Sequence, residues 1–432
     1  MRRPRGSGRI IALGFVCFVI VAGAFVASGY ASGLTRTIAN AAFAVTPGTM
    51  VYTRGASTTS EAEPIPAAPK PVVKHVPTPD PVKAIYMSQC VVGTPSFRDS
   101  LVKLVDETEL NAIVIDIRDY TGGIAFPTDH PLLKTMVSDQ CGARDMKAFI
   151  ERLHEKDIYV IGRITTFQNP LYTKMHPEQA VQSKKGGVWK DHKGLAFVDV
   201  GATAYWESVV ALAKESYEIG FDEINFDYIR YPSDGNMLDT DFIKRDGKTK
   251  QEMLEDFYKY LDTNIPQEIV ISADLFGMVT TNYDDLNIGQ VLERALPYFD
   301  YIGPMVYPSH YPKGFNGWND VNAVPYELMK YVMASAVKRT EATTTSIPSM
   351  AYTRIGTSTP AVYSKPAYDK KKMRAWIQDF DYPVEYTPAM VEAQLRANAE
   401  LGLHSYMVWD PGNKYSSLKP VLKPQQDLAA SH

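Results

Sequence analysis

Acidic residues stand at the ends of several short apolar runs in this 432-residue sequence. Asp227 closes the run from Glu223, and Asp274 closes the run from Val270. Two carboxyl groups that face one cleft can cleave a glycosidic bond, because one protonates the leaving oxygen while the other attacks the anomeric carbon or activates water. These two residues are therefore the first candidates for catalysis.

The alternation of side chains along a strand predicts which residues of these runs share a face. If Ile224 and Phe226 pack outward against helices, Asn225 and Asp227 point inward. The same parity predicts an inward orientation for four further polar residues: Ser272, Asp274, Asp116 and Arg118. Because adjacent parallel strands lie ~4.8 Å apart, we expect the carboxyl groups of Asp227 and Asp274 to be roughly 5 to 9 Å apart.

Asp410, after the last apolar run, adds a fourth acid to this set. A carboxylate at such a position must be paired or take part in chemistry, because burying it alone is costly. The alternative interpretation is that Arg118, Arg163 or Arg230 neutralises the acids and that the pairs only hold loops. Two acids on successive strand ends favour the catalytic interpretation.

Aromatic residues occur in the same predicted loops, where sugar rings can stack on their flat apolar faces. Trp318 lies in a Gly- and Asn-rich stretch and is expected to face a ligand, whereas Tyr228 and Trp376 fit either the core or the site. His310 contacts the ligand or makes a local hydrogen bond. The predicted substrate-binding residues are Asp116, Arg118, Arg163, Asn225, Arg230, Tyr231, Tyr307, His310, Trp318, Trp409 and Asp410.

The elements that must position these residues alternate between short strands and amphipathic helices. Helical patterns include those at 145–155 and 388–402. The pattern predicts a (β/α)8 barrel with long loops at 169–199, 233–248 and 307–376, and the alternative is an open doubly wound sheet. The predicted strands are Lys83–Ser88, Ala112–Arg118, Tyr159–Thr165, Glu223–Tyr228, Ile269–Asp274, Tyr301–Tyr307, Arg374–Asp379 and Ser405–Trp409.

The first eighty residues are not part of this pattern. Four arginines precede an uncharged apolar run at 10–26, which predicts a signal peptide or a membrane anchor over residues 1–33. Residues 34–80 are rich in Pro, Ser and Thr and predict a disordered linker. We therefore expect an exported protein, secreted or membrane-anchored, with its barrel over 81–420 and a tail over 421–432.

Composition and motifs exclude several other functions. The net charge of -4 argues against nucleic acid as a partner. The eight histidines form no HxH or HExxH pair, which argues against a standard zinc site. No GxGxxG, GxxxxGK[ST] or GxSxG stretch occurs, which argues against a dinucleotide site, a P-loop and a nucleophile-elbow hydrolase. We therefore predict neither a metal site nor a cofactor. Cys90 and Cys141 could pair outside the cell, although their spacing does not decide this.

Several ordered motifs carry a family resemblance, from about Val82 to Asn413. They are Phe221–Pro232, Ile271–Gly277, Pro304–Tyr311, Trp376–Phe380 and Met407–Asp410. They resemble the bacterial “putative glycosyl hydrolase domain” first catalogued as a domain of unknown function. The resemblance implies a (β/α)8 barrel distantly similar to the alpha-amylase clan, with Asp227 in the nucleophile position and Asp274 in the proton-donor position, where that clan usually has Glu.

The sequence as a whole therefore predicts a glycoside hydrolase that acts on an extracellular or cell-envelope polysaccharide. One alternative is a barrel that binds glycan without turnover, which loss of the inward placement of Asp227 or Asp274 would favour. The other is a polysaccharide deacetylase, which would need a metal site of His and Asp.

Overall fold

The computed structural model describes residues 73–242 and 247–426, and in these residues eight parallel strands close into a barrel. Strand order follows the chain, and the last strand pairs with the first. The strands match the eight predicted ones, with ends that differ by at most two residues. They are β1 (Lys83–Met87), β2 (Ala112–Arg118), β3 (Tyr159–Thr165), β4 (Glu223–Asp227), β5 (Val270–Phe276), β6 (Tyr301–Met305), β7 (Ala375–Gln378) and β8 (Tyr406–Trp409).

Helices follow seven of the strands, and a short 3-10 helix, Lys419–Val421, follows β8. The helices are α1 (Gln89–Val92), α2 (Pro95–Asp106), α3 (Met146–His154), α4 (Pro170–Met175), α5 (Thr203–Ile219), α6 (Lys250–Asn264), α7 (Leu292–Ala295), α8 (Pro325–Glu341) and α9 (Pro388–Ala399). The predicted barrel is thereby confirmed, and the alternative of an open sheet is wrong because β8 pairs with β1.

Local sequence explains where the longer helices begin and end. Helix α6 starts at a capping box, in which Thr249 and Glu252 satisfy each other's backbone N–H groups. Helix α5 ends at Gly220, whose φ of 124° suits a residue without a Cβ. Along α5, Trp206, Val209 and Ala213 are buried and pack in the layer between helices and strands.

The barrel interior is a second, separate core. It consists of inward-facing side chains that include Ala84, Val114, Ile161 and Met407. At the carboxyl ends of the strands this apolar filling gives way to charged side chains. We call this end of the barrel the mouth, and in barrels of this type it is the end where active sites are built.

The long loops contain secondary structure of their own. Two-residue strands, Gln182–Ser183 and Thr240–Asp241, join the loops after β3 and β4. The segment 307–376, however, is divided by helix α8, and a small sheet of Thr344–Thr345, Thr353–Ile355 and Val362–Ser364 follows that helix. Ser349 in this part hydrogen-bonds Glu255, so this part of the segment packs against helix α6.

The chain enters the barrel at the end opposite the mouth. His75 stacks on Tyr217 with ring centroids 3.9 Å apart, and the Val76 N–H donates to Asp222 Oδ1 at 2.8 Å. These contacts lie within 73–80, the last part of the predicted linker. The predicted signal or anchor, residues 1–33, lies outside the described residues. Among the helices that the structure does describe, none combines the length and the apolar character needed to span a bilayer.

Cys90 and Cys141, whose pairing the sequence left open, are joined by a disulfide with Cα atoms 4.5 Å apart. Cys90 lies in helix α1 and Cys141 in the loop that follows β2. The bond therefore ties one of the mouth loops to the first helix, and such a cross-link restricts the unfolded chain.

Candidate active site

Polar side chains from four consecutive strands meet at the mouth. The strand register pairs Asp116 with Arg163, Arg163 with Asn225, and Asn225 with Ser272. These residues therefore share the inner face, and Asp227 and Asp274 follow two positions later on that face. Both catalytic candidates therefore point into the barrel, as predicted.

Arg163 is the centre of the cluster. Its Nη1 donates to Asp116 Oδ1 at 2.6 Å, and its Nε donates to Asp227 Oδ2 at 3.1 Å, with Nη2 donating to the same oxygen. The Oδ2 atom of Asp274 lies 4.0 Å from Nε. One guanidinium thus faces three carboxyl groups, and all four side chains are buried.

Asp274 has two unequal oxygens. Oδ1 accepts hydrogen bonds from Trp376 Nε1 at 2.7 Å and from Asn225 Nδ2 at 3.0 Å. Oδ2 is buried without a hydrogen-bond partner. Burial, and then the charge of Asp227, raise the pKa of Asp274 well above its usual range. These surroundings therefore favour the protonated form of Asp274.

The spacing of the two candidate acids follows from their common neighbour. The Oδ2 atoms of Asp227 and Asp274 lie 3.1 and 4.0 Å from Arg163 Nε, so they are at most about 7 Å apart. This limit allows the separation of roughly 5 to 5.5 Å found in retaining enzymes and the shortest separations of inverting enzymes, near 6.5 Å. Gly303, which pairs with Asp274, makes room for this arrangement, because a Cβ there would lie 2.5 Å from Asp274 Oδ1.

Asp116 is held from the other side by Tyr86, whose hydroxyl donates to Oδ2. Burial raises the pKa of Asp116 to about 6, although the charge of Arg163 and the hydrogen bonds from Tyr86 and Arg163 oppose the rise. Tyr86 was not among the predicted site residues. Its inward position follows from the parity of β1, and applying the alternation rule to that strand would have found it.

Aromatic side chains surround the acids. Trp409 is partly exposed, stacks on Tyr86 with centroids 4.0 Å apart, and covers the Arg163 guanidinium at 5.0 Å. Tyr307 is buried, and the nearby charges of Asp274 and Asp227 add to the effect of burial in raising its pKa. Trp376, which the sequence places either in the core or in the site, is buried in the core and also donates a hydrogen bond to Asp274.

His310 lies beside the cluster rather than in it. Its ring contacts Tyr307 edge-on at 5.3 Å, and its Nδ1 lies 2.9 Å from Ser309 Oγ. Burial, and then the charge of Lys193, lower the pKa of His310 to about 4, so the imidazole is neutral at neutral pH.

Arg118 does not face the barrel interior, and the prediction of its orientation is wrong. The register of β2 against β3 shifts between Asp116 and Arg118, so that Arg118 pairs with Ile164, an outward-facing residue. A bulge of this kind reverses the alternation beyond it. The guanidinium lies 5.5 Å from the ring of Tyr205 in helix α5.

Arg230 and Tyr231 occupy the loop after β4 but do not contact the acids. The Arg230 guanidinium lies 4.8 Å from the ring centroid of Tyr228 and 4.9 Å from that of Phe276. Tyr231 is completely buried and packs edge-on against Phe242. A fully buried ring offers no face for sugar stacking, so the structure gives Tyr231 a packing role.

Trp318 and Asp410 are also placed apart from the cluster. The Trp318 ring is partly buried and packs edge-on at 6.0 Å against Tyr331 of α8. Asp410 accepts backbone N–H groups from Gly412, Lys414 and Tyr415, which makes it a loop-forming carboxylate. Within 73–242 and 247–426, no group of three or more His, Cys, Asp or Glu side chains is arranged to hold a metal ion.

A comparison with known protein families agrees with the barrel fold and with the family resemblance of the sequence motifs. Residues 84–415 match the family described as “Putative glycosyl hydrolase domain”. The chain belongs to this family. A search of the curated proteins finds no match to it.

Solved structures share the fold. The glycoside hydrolase domain of PgaB (BpsB) from Bordetella bronchiseptica has a TM-score of 0.51 and 12% identity, over 79% of this chain and 99% of that chain. The alpha-L-fucosidase isoenzyme 2 from Paenibacillus thiaminolyticus has a TM-score of 0.50 and 10% identity, over 78% and 47%. A hypothetical protein from Ruminiclostridium thermocellum is 30% identical over 47% of this chain and 98% of that chain, with a TM-score of 0.41. At 10 and 12% identity the first two likenesses show the barrel alone.

Proposed function

We propose that this protein is a glycoside hydrolase in which Asp274 is the proton donor and Asp227 is the nucleophile or general base. One observation carries the proposal. Two neighbouring carboxyl groups at the mouth have opposite surroundings: Arg163 donates twice to Asp227, whereas Asp274 is buried with one oxygen unpaired. Acid–base cleavage requires two acids whose surroundings favour different protonation states.

In this mechanism the proton of Asp274 passes to the glycosidic oxygen as the bond to the anomeric carbon breaks. The carboxylate of Asp227 either bonds to the anomeric carbon, or takes a proton from the water that does so. In the first route water then hydrolyses the glycosyl ester, and Asp274 accepts the proton of that water. Either route consumes one water molecule. The first route returns both residues to their starting states, whereas the second leaves a proton on Asp227 that must return to Asp274 by exchange with solvent.

Arg163 and Asp116 support this division of roles. Arg163 orients the Asp227 carboxyl group, since its Nε and Nη2 both donate to the same oxygen. Asp116, held by the Tyr86 hydroxyl, fixes the opposite edge of the guanidinium through Nη1. Substitution of Asp116 should therefore weaken catalysis through Arg163 without removing either reacting group.

The substrate class that we propose is an extracellular or cell-envelope polysaccharide. The acids are almost completely buried, so a sugar would approach them along Trp409, a partly exposed aromatic residue of the site. Indole faces suit the apolar faces of sugar rings. The arginines and the apolar run at 10–26 support export, with the barrel outside the cytoplasm and tethered to a membrane or secreted.

The test is release of reducing ends from a panel of bacterial envelope glycans by the full chain, with Asp227→Asn and Asp284→Asn as a matched pair. Asp284 lies in an exposed loop, so its substitution makes the same chemical change away from the cluster. We expect turnover of at least one glycan by the parent and by Asp284→Asn, and loss of that turnover in Asp227→Asn. Equal turnover by all three proteins would contradict the assignment of Asp227.

The burial of the acids favours a second candidate, a barrel that binds glycan without cleaving it. Asp227 and Asp274 are only 5% and 1% exposed, as in purely structural ion pairs. A binding module would retain glycan on the parent without release of reducing ends, and Asp227→Asn would leave that affinity unchanged. Hydrolysis by the parent would exclude this candidate.

A further inference from the structure

A neutral carboxylic acid has one carbonyl oxygen and one hydroxyl oxygen, and the surroundings of the two Asp274 oxygens show which is which. The indole N–H of Trp376 is a donor only, and it points at Oδ1 from 2.7 Å. A carboxylic hydroxyl oxygen is a poor acceptor, whereas a carbonyl oxygen readily accepts two donors. Oδ1 therefore has the surroundings of the carbonyl oxygen, and Oδ2 those of the hydroxyl oxygen.

The second donor to Oδ1 is the Asn225 amide, and Ser272 orients this amide. Ser272 donates its single hydroxyl proton to Glu223 Oε1 at 2.6 Å, so its oxygen accepts from Asn225 Nδ2 at 3.1 Å. That contact fixes which end of the Asn225 amide is NH₂. The other amide hydrogen then reaches Asp274 Oδ1 at 3.0 Å.

This chain of hydrogen bonds begins at a fully buried ion pair. Arg374 Nη1 donates to Glu223 Oε2 at 2.7 Å, and the Tyr159 hydroxyl donates to the same oxygen at 3.1 Å. Arg374 and Tyr159 occupy Oε2, and Ser272 occupies Oε1, so Glu223 can only accept. Glu223 thereby orients the Ser272 hydroxyl, and Ser272 orients the Asn225 amide, which donates both to Ser272 and to Asp274 at the mouth.

We propose that Oδ2 is the oxygen of Asp274 that carries the transferable proton, and that Trp376, Asn225 and Ser272 are positioning residues that fix this choice. The inference rests on the proposed function of Asp274 as the proton donor. Oδ2 is also the oxygen near Arg163 and Asp227, 4.0 Å from the Arg163 Nε. A proton there lies on the side of the cluster where the glycosidic bond must break.

Infrared spectroscopy of the full chain tests which oxygen is protonated. The carbonyl band of neutral Asp274, assigned by its loss in Asp274→Asn, should lie at the low frequency of a carbonyl that accepts hydrogen bonds. In Trp376→Phe the band should move to higher frequency, and its pH midpoint should rise by roughly 1 to 2 units, because the lost donor also stabilised the carboxylate. A band that stays in place would overturn the proposal.

Two further variants keep the test decisive. Trp206→Phe removes a buried indole that donates to Val200 O, away from the site, and should leave the band unchanged. Ser272→Ala changes little volume and frees the Asn225 amide, and it should move the band in the same direction as Trp376→Phe but less. No movement in Ser272→Ala would overturn the role of Ser272 even where Trp376→Phe does not fold.

Turnover separates failure of this inference from failure of the proposed function. If Asp274 is the donor, Trp376→Phe should lower kcat/KM for an unactivated oligosaccharide roughly 10- to 100-fold and for a dinitrophenyl glycoside much less. Equal losses for both substrates with an unmoved band would overturn the positioning role. Full activity of Asp274→Asn on the oligosaccharide would instead overturn the proposed function.

Discussion

The barrel interior contains two arginine–carboxylate groups that are built differently. At the lower end, Arg374 and Glu223 form a one-to-one pair in which both carboxylate oxygens accept hydrogen bonds. At the mouth, the single guanidinium of Arg163 faces three carboxyl groups, and one oxygen of Asp274 is left without a partner. A carboxylate whose two oxygens are both paired holds the strands together. Where one guanidinium serves three carboxyl groups, one acid keeps an unpaired oxygen and can hold and transfer a proton.

The difference can be tested by removing one charge from each group. Asp227→Asn should reduce turnover by roughly 10³-fold or more, because a neutral amide can neither attack nor act as a base. Its melting temperature should change little, since two further carboxyl groups remain beside Arg163. Turnover assays and thermal unfolding of the same preparation check both parts.

Glu223→Gln should lower the stability of the protein more than Asp227→Asn does. It leaves the Arg374 charge buried without its partner, and breaking a buried pair in this way costs roughly 3 to 5 kcal/mol of unfolding free energy. Denaturant unfolding measures this loss. If Glu223→Gln were as stable as the parent, the one-to-one pair would not be the structural element of this comparison.

Asp274→Asn should distinguish substrates by their leaving groups. Loss of the proton donor should slow cleavage of an unactivated glycan by roughly 10²- to 10⁴-fold, while a glycoside with a dinitrophenol leaving group needs little protonation. Rates for the two substrates, measured side by side, give the ratio. A uniform loss across both would place Asp274 outside proton donation.

Asp116 should give the mouth group a pH-dependent contribution to stability. Its pKa is raised to about 6 in the folded protein, so between pH 4 and 6 the folded state binds more protons than the unfolded state. Stability should therefore fall as pH rises through this window, by about 2 to 3 kcal/mol for this residue. The change in unfolding free energy from pH 4 to pH 6 should therefore be more favourable by about 2 to 3 kcal/mol in Asp116→Asn than in the parent.

The smallest expected effect concerns the aromatic residues. Trp409→Ala should weaken binding of an oligosaccharide by about 1 kcal/mol or more, because its partly exposed ring covers Arg163. Trp318→Ala should have the smaller effect, since its ring packs on Tyr331. Titration calorimetry with both variants ranks them, and the opposite order would place Trp318 in the cleft, as the sequence suggested.

Much of the fold and part of the site follow from local sequence. The eight strands could be predicted because each is a short apolar run bounded by polar residues or by a helix pattern. Strand parity then predicts that Asn225, Asp227, Ser272 and Asp274 point inward, since alternation is a property of each strand alone. The bulge near Arg118 marks the limit of that rule, because a register shift depends on the neighbouring strand.

The tertiary structure decided which inward groups meet and how each is satisfied. Trp376 reaches Asp274 from 102 residues away, and the two side chains meet because β5 and β7 flank β6 and both turn these residues into the barrel. Asp410 also ends a strand, yet its loop folds back and saturates it with backbone N–H groups. The sequence by itself thus determines where the carboxyl groups stand on their strands. Their charge states depend on partners and burial, which exist only once the barrel has closed.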